Sequence, residues 1–328
     1  MDSSLPTSTP EALPKGTLAK RTLLWGLAVI IMISAVIYQK TTGPTYPRKG
    51  SFEVSGEVHK YRLIRSQWTH SKDFDFDAEV ALPAVEGVSG TLFWRRYKAG
   101  DDFASIPMAV RLEQGGDKNV LAADLPKQTF AAAKYEYYIE LQTPQGLVRV
   151  PEIDVAAAVD TDGPPADNVV IRFKDWVPGY ILWPHIVLMF FSVLWGMRTA
   201  LAALAGHSNF RRYAWVTFTG MTFGGMVLGP IVQKYAFGEF WTGWPNGYDL
   251  TDNKMLIMWV SWIVATSTIG LKPRPKESVG RGVVVLAALA MTAVYLIPHS
   301  LSGSELDYSK IEDGMTAEEA VKAIGTGD

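Results

Sequence analysis

The chain has 328 residues, 48% of them apolar, and a formal charge of −2, a length that accommodates two structural units. It contains no cysteine, which excludes disulfide-linked partners, zinc ribbons and thiolate-held iron–sulfur clusters. A unit outside the cytoplasm must therefore fold on its core alone. No basic stripe and no zinc-finger spacing is present, so no nucleic-acid partner is expected.

Residues 1–21 are rich in Ser, Thr and Pro and end in Lys15, Lys20 and Arg21, the composition of a disordered tail. An uncharged run follows from Leu23 to Tyr38, which predicts a first membrane span over 22–39. A cleaved signal peptide is the competing reading, but Tyr38, Gln39 and Lys40 offer no small-residue cleavage site, so a retained anchor is expected. Residues 40–176 change character. Short alternating segments (FEVSGEV, DAEVALP, GTLFWRRYK, PMAVRLE, KYEYYIELQ, GLVRVP, NVVIRF) recur between turn signals, the pattern of an all-β antiparallel sandwich.

The strands GTLFWRRYK and KYEYYIELQ resemble those of fibronectin type III or immunoglobulin-like modules. The resemblance covers residues ~50–174 and implies a recognition or scaffold fold, with no catalytic residue carried over. His59 and His70 lie in this region and are expected on the surface.

From Trp176 the chain turns apolar again, with spans expected at 180–204, 213–232, 255–271 and 282–297. This helical part, 177–300, resembles uncharacterised multi-pass bacterial membrane proteins. Basic residues set the orientation. Lys15, Lys20 and Arg21, then Arg211 and Arg212, then Lys272, Arg274, Lys276 and Arg281 fall on one side if there are five spans, and that side is expected to be cytoplasmic. The expected molecule is thus an α-helical integral protein of a bacterial inner membrane, with five transmembrane helices and an inserted immunoglobulin-like sandwich. The sandwich, a loop over 234–254 and a tail over 301–328 lie outside the cytoplasm. One short helix is expected in TAEEAVKAIG of that tail.

The spans hold almost no ionisable residue. Arg198 is expected to snorkel toward the cytoplasmic end, so an ion or proton path is not expected. No P-loop, G-x-S-x-G, H-E-x-x-H or strand-preceded GxGxxG occurs, which argues against an enzyme. Two histidines stand out: His185 in WPHIVLMFF and His299 in YLIPHSLSG, both at the outer surface in the five-span topology. They suit either a b-type haem or copper ligand pair, or helix-end structural bonds. In the outer loop, Asp249, Asp252 and Glu239, with Glu305 and Asp307 of the tail, offer oxygen ligands of the type calcium takes. The competing reading makes Thr251 or Asp252 the cap of the fourth span. Trp241, Trp244 and Tyr248 are expected interfacial anchors. Gly220-x-x-x-Gly224 and Gly225-x-x-x-Gly229 mark a face that another helix can approach closely.

Two functions follow as expectations. The first is a non-enzymatic accessory or scaffold subunit of a larger membrane complex, by analogy an electron-transport or photosynthetic one, whose sandwich docks a partner and whose helices meet other membrane subunits. The second is a haem- or metal-binding electron-transfer protein using His185 and His299.

Overall fold

The computed structural model describes residues 15–71, 75, 77–113, 115–153, 168–273, 275–298 and 304–322. The chain opens with helix α1 (Lys15–Thr42), which begins earlier than the apolar run alone predicts. Its buried face is Ala28 and Ala35, seven residues apart, and Leu23, Ile30 and Ile37 point away from the protein.

Eleven strands follow: β1 (Arg48–Val54), β2 (Glu57–Leu63), β3 (Ser66–Trp68), β4 (Ala78–Pro83), β5 (Ser89–Arg96), β6 (Ala104–Pro107), β7 (Ala109–Leu112), β8 (Asn119–Leu125), β9 (Lys134–Thr143), β10 (Gly146–Val150) and β11 (Val169–Lys174). One sheet has the order β3-β11-β9-β5-β6, with β10 continuing along β9; a second has the order β4-β8-β7. The hairpin β1-β2 lies beside β4. Period-2 alternation sends Tyr135, Tyr137, Ile139 and Leu141 of β9 inward to meet Val80 and Leu82 of β4 and Leu121 and Leu125 of β8, so the sheets share one apolar core. Each fully buried side chain of this size stabilises the head by roughly 1.5–3 kcal/mol.

Three details depart from the expected sandwich. FEVSGEV is not one strand. Ser55 and Gly56 both take positive φ (53° and 84°) and turn it into the β1–β2 hairpin, as a two-residue turn between right-twisted strands requires. Strand β8 escapes the alternation rule because Val120–Ala123 is buried on both faces at the centre of its sheet. And β3 pairs with β11 in parallel, so the sheet is not purely antiparallel.

The helical half comprises α2 (Gly179–Leu204), α3 (Phe210–Met221), a π-helical segment (Thr222–Leu228), α4 (Gly229–Phe237), α5 (Leu250–Gly270) and α6 (Glu277–Leu296). Helix α3, the π segment and α4 follow one another without a break, so the expected third span extends to Phe237 and carries a wide turn at its centre. Among the described residues, four helical stretches are long and apolar enough to cross a membrane: 18–42, 179–204, 210–237 and 277–296. Helix α5, expected as a span over 255–271, is outside this set; it opens on polar Thr251–Lys254 and carries Ser261, Thr266, Ser267 and Thr268. It nevertheless packs along α6 and contributes Trp262, fully buried, to the bundle core.

The close-packing glycines face helices of this same chain. A Cβ at Gly220 would lie 2.5 Å from Ser192 Oγ, and one at Gly224 would lie 2.8 Å from Leu188 Cβ. One at Gly225 would run into Met255 of α5, whereas Gly229 only approaches His185, at 3.8 Å. At the end of the bundle that holds the turns α2–α3 and α5–α6, Arg281 donates to Ala203 O (2.8 Å) and Gly206 O (2.9 Å), and Arg211 donates to Ile269 O (2.9 Å). These are carbonyls that helix ends leave without a helical partner. At the other end Gln39 Nε2 donates to Tyr295 O (3.2 Å), and Lys254 Nζ donates to Ile297 O.

The short helix expected in TAEEAVKAIG is present as a single turn, within a C-terminal segment that holds further elements. The segment forms β12 (Glu305–Leu306), α7 (Tyr308–Glu312), α8 (Ala317–Ala320) and β13 (Val321–Lys322), with β12 and β13 paired antiparallel. Asp307 caps α7, and Thr316 with Glu319 forms a capping box that limits α8 to one turn before the chain returns as β13.

Candidate functional site

The described residues concentrate buried polar chemistry at one place: where the loop after α4 meets β11, the start of α5 and residue 304. The loop begins at Gly238, whose φ of 88° ends α4 in the left-handed conformation with its N–H on Lys234 O (3.0 Å). It then folds on itself, with Asn246 N and Gly247 N donating to Gly243 O (2.9 and 3.0 Å) and Asp249 N to Thr242 O (3.0 Å).

Two aspartates hold this fold from the far side. Asp252 Oδ2 accepts from Thr242 N (2.7 Å) and Gly243 N (3.0 Å), and Asn253 Oδ1 accepts from Trp244 N (2.7 Å). Asp249 is the N-cap of α5: its Oδ1 accepts from Thr251 N (2.8 Å). Its Oδ2 accepts from Ser304 N (3.0 Å) and lies 3.2 Å from Thr242 Oγ1 and 3.3 Å from Ser304 Oγ. Thr242 Oγ1 accepts from Gln233 Nε2 (2.7 Å), which adds α4 to the cluster. Ser304 O accepts from Arg172 Nη2 of β11 (3.3 Å). Asp175 N, one residue past β11, donates to Ala236 O (3.0 Å). Asp249, Asp252, Arg172, Lys254, Thr242 and Ser304 are all buried.

Buried carboxylates are costly unless their lone pairs are filled, and here backbone N–H groups fill them. The buried cations answer the charge. Burial pushes the Arg172 guanidinium below its ordinary value, while Asp249 and Glu305 oppose the shift. Burial raises the Asp175 carboxyl, and the hydroxyl of Thr69 resists that.

Farther along, the C-terminal segment docks on the start of β9. Tyr308 Oη accepts from Lys134 N (3.1 Å) and donates to Lys134 O (2.8 Å), and Leu306 N donates to Ala132 O (3.2 Å). Glu305 binds Lys134 Nζ (2.6 Å) and Lys98 Nζ (3.4 Å), and Glu312 binds Arg96 (2.8 Å). Burial acts to raise the Glu305 carboxyl, but Lys134 and Lys98 outweigh it and hold the group below the usual carboxylate value. Burial, reinforced by Arg172, brings the Lys134 ammonium down to about 8 in spite of Glu305. A simple ion pair raises its lysine, so the loss of water governs this one.

The expected site residues separate accordingly. Asp249 and Asp252 come together, but around Thr242 and backbone donors. Glu239 stands outside their hydrogen bonds, and Asp307 is engaged as the cap of α7. Among the described residues, no three of His, Asp and Glu form a group suited to a metal ion. Trp244 and Tyr248 are exposed, as anchors need to be, and Trp241 Nε1 donates to Trp244 O (3.0 Å) to brace the loop. His299 lies outside the described residues. His185 Nδ1 is 2.8 Å from Gly224 O, a carbonyl inside the π segment. The wider π turn breaks the i→i−4 ladder, and the imidazole supplies a donor to a carbonyl within it. That bond also fixes the tautomer and leaves Nε2 as the free nitrogen of the ring.

Sequence reasoning missed Arg172, Thr242 and Ser304. Arg172 sits in an alternating strand and gives no local sign of its partner. Thr242 and Ser304 are common loop residues 62 positions apart, joined only by the fold. Arg198 also departs from expectation. Instead of reaching water it is enclosed between the rings of Trp25 (5.4 Å) and Tyr213 (5.2 Å), and among the described residues its Nε and Nη1 have no hydrogen-bond partner.

The chain thus pairs a bundle of membrane-length helices with a β-rich head, joined through a buried ionic seam. Compared with protein-family models, curated proteins and solved structures, it matches none.

Proposed function

We propose that the protein is a non-enzymatic integral-membrane scaffold: five spans, α5 included, carry an extracytoplasmic immunoglobulin-like sandwich that docks a partner in a larger membrane complex. The observation that carries this reading is the Asp249 seam, which ties loop, C-terminal segment and β11 to the bundle and so holds the head in one orientation. A freely swinging domain needs no such investment in buried charge. The span count is supported by Arg281 and Arg211, which gather the basic turns α2–α3 and α5–α6 at one end of the bundle. In this reading that end is cytoplasmic, together with Lys20 and Arg21, and the membrane is a bacterial inner membrane.

The head also presents a surface suited to a protein partner. On the outer face of β5 and β9, Phe93 stacks on Tyr138 (5.0 Å), Phe103 meets Tyr138 edge-on (5.1 Å), and Arg95 and Arg149 lie over these rings (4.4 and 4.3 Å). Aromatic and arginine clusters of this kind dominate protein interfaces. Blue-native electrophoresis of solubilised native membranes tests the reading. The chain is expected in an assembly larger than its detergent-purified form, and Tyr138→Ala is expected to release it. Migration at the purified mass in fresh membranes overturns the proposal.

A second reading keeps one observation in its favour. The Nδ1 bond of His185 to Gly224 O is the bond that orients ligating histidines. Haem or copper binding by His185 with His299 is tested by a reduced-minus-oxidised spectrum and metal analysis of the purified chain. A band or copper content lost in both His185→Ala and His299→Ala establishes it. A featureless spectrum and no copper in folded protein removes it.

A further inference from the structure

We infer that the groove between α2 and α3 is a binding site for one anionic phospholipid of the cytoplasmic leaflet; the inference rests on the membrane-embedded reading above. The groove has a volume of about 470 Å³, with walls of Leu188, Phe191, Trp215, Val216, Thr219 and Phe223, floor Gly220, and Arg212 at one end. Gly220 at the floor lets α3 close onto α2, where a Cβ would lie 2.5 Å from Ser192 Oγ. Ser192 turns its hydroxyl back to Leu188 O (2.6 Å), which leaves the channel apolar.

Three features select the occupant. The first is length. From Arg212 to Phe223 the helix rises ~16 Å at ~1.5 Å per residue, close to the ~15 Å of one leaflet's hydrocarbon. An acyl chain headed at Arg212 therefore ends beside Phe223 and Leu188, at mid-bilayer. The second is charge. Arg212 is exposed at the turn end of the bundle; neighbouring Arg211 donates to Ile269 O, and a Cβ at Gly270 would sit 2.9 Å from Trp215, so the ends of α3 and α5 adjoin. Lys272 and Lys276 lie on the neighbouring α5–α6 turn and Arg281 near the start of α6, where it engages Glu277 (2.5 Å). The balance is basic and suits a phosphate at headgroup depth. The third is the indole of Trp215, half-exposed between the basic end and the apolar groove, the position of an interfacial aromatic. A second protein helix would fill the walls but leave Arg212 without an anion unless it brought a carboxylate of its own.

Native mass spectrometry of the full chain in detergent, titrated with phosphatidylglycerol and with phosphatidylcholine of the same acyl chains, tests this. Wild type is expected to retain phosphatidylglycerol in preference. Arg212→Gln is expected to weaken that retention about fivefold and leave phosphatidylcholine unchanged. Thr219→Phe, which fills the groove from an exposed position, is expected to lower both, and Leu286→Phe on α6 to lower neither. Equal retention of the two lipids by wild type, or an Arg212→Gln variant indistinguishable from it, overturns the inference. So does a dimer that Thr219→Phe dissociates. A carbonate wash of native membranes separates the two levels: a chain that washes out removes the membrane reading as well, and a chain that stays without lipid preference removes only the lipid site.

Discussion

Asp249 sits where three segments meet, and its oxygens answer the start of α5, the loop at Thr242 and the backbone at Ser304. Replacing it with Ala leaves Ser304 N and Thr251 N without acceptors and removes a carboxylate that offsets the buried charges of Arg172 and Lys254, a loss of about 3 kcal/mol. Asp249→Ala is therefore expected to lower the unfolding midpoint in detergent and to expose the segment after Ser304 to protease, while Asp249→Asn does less of both. Unchanged protection in Asp249→Ala would show that the seam is not what holds the segment. Arg198 makes the opposite case. Among the described residues two of its guanidinium nitrogens have no partner, so most of its contribution is ring contact set against lost hydration. Arg198→Met keeps the volume and removes the charge, and is expected to stabilise the bundle by about 1 kcal/mol, read as a higher midpoint. A lower midpoint would mean that the guanidinium has an anionic or water partner in the membrane.

At the scale of elements, the docked C-terminal segment and the π segment both answer to protonation or polar satisfaction. Glu305 is held below its ordinary value of 4.5, so its contribution is fully present above that value and is lost as pH falls through the lower, folded value. Lys134 is lowered from 10.5 to about 8, so below about 8 the cost of burying its charge is fully present, and docking strengthens as pH rises from there toward 10.5. Hydrogen exchange across 304–322 is expected to accelerate on acidification below the ordinary glutamate value in wild type, and to lose that acid-dependent step in Glu305→Gln. An unaltered step in the variant assigns it to another group. In the π segment, His185→Ala leaves Gly224 O without its donor and is expected to cost about 1–2 kcal/mol of bundle stability, measured as a shift in midpoint. Gly225→Ala would collide with Met255 and loosen the π segment from α5, a second route to the same readout at a separate contact.

For the whole molecule, the proposed topology has a direct check, because the chain contains no cysteine to confuse a single introduced one. Cysteine at Trp244 or Thr143 is expected to react with an impermeant maleimide from outside the cell, and cysteine at His207 only after lysis. Labelling of His207→Cys from outside would invert the orientation, and labelling of all three would break the five-span count.

The sequence carried much of this architecture in forms that need no partner. The apolar runs of α1, α2 and α6, the strand alternation of Tyr135–Leu141 and the small residues of 220–229 are all local patterns, and burial against any neighbour gives them the same face. The two basic turns were legible as runs of charge between apolar segments, and Arg281 and Arg211 set them at one end of the bundle. What the tertiary structure decided is different in kind. The sequence offered Asp249 and Asp252 as calcium ligands and, as the simpler reading, Thr251 or Asp252 as a helix cap; the cap is Asp249, and only the positions of Thr242, Ser304 and Arg172 made the two aspartates acceptors in a buried seam. The expected C-terminal tail became a docked segment because Tyr308 found the backbone of Lys134, 174 residues away. Local periodicity encodes which side of an element seeks burial. It does not encode which distant hydrogen-bond donor a buried carboxylate meets, since that depends on how the two halves of the chain come to rest against each other.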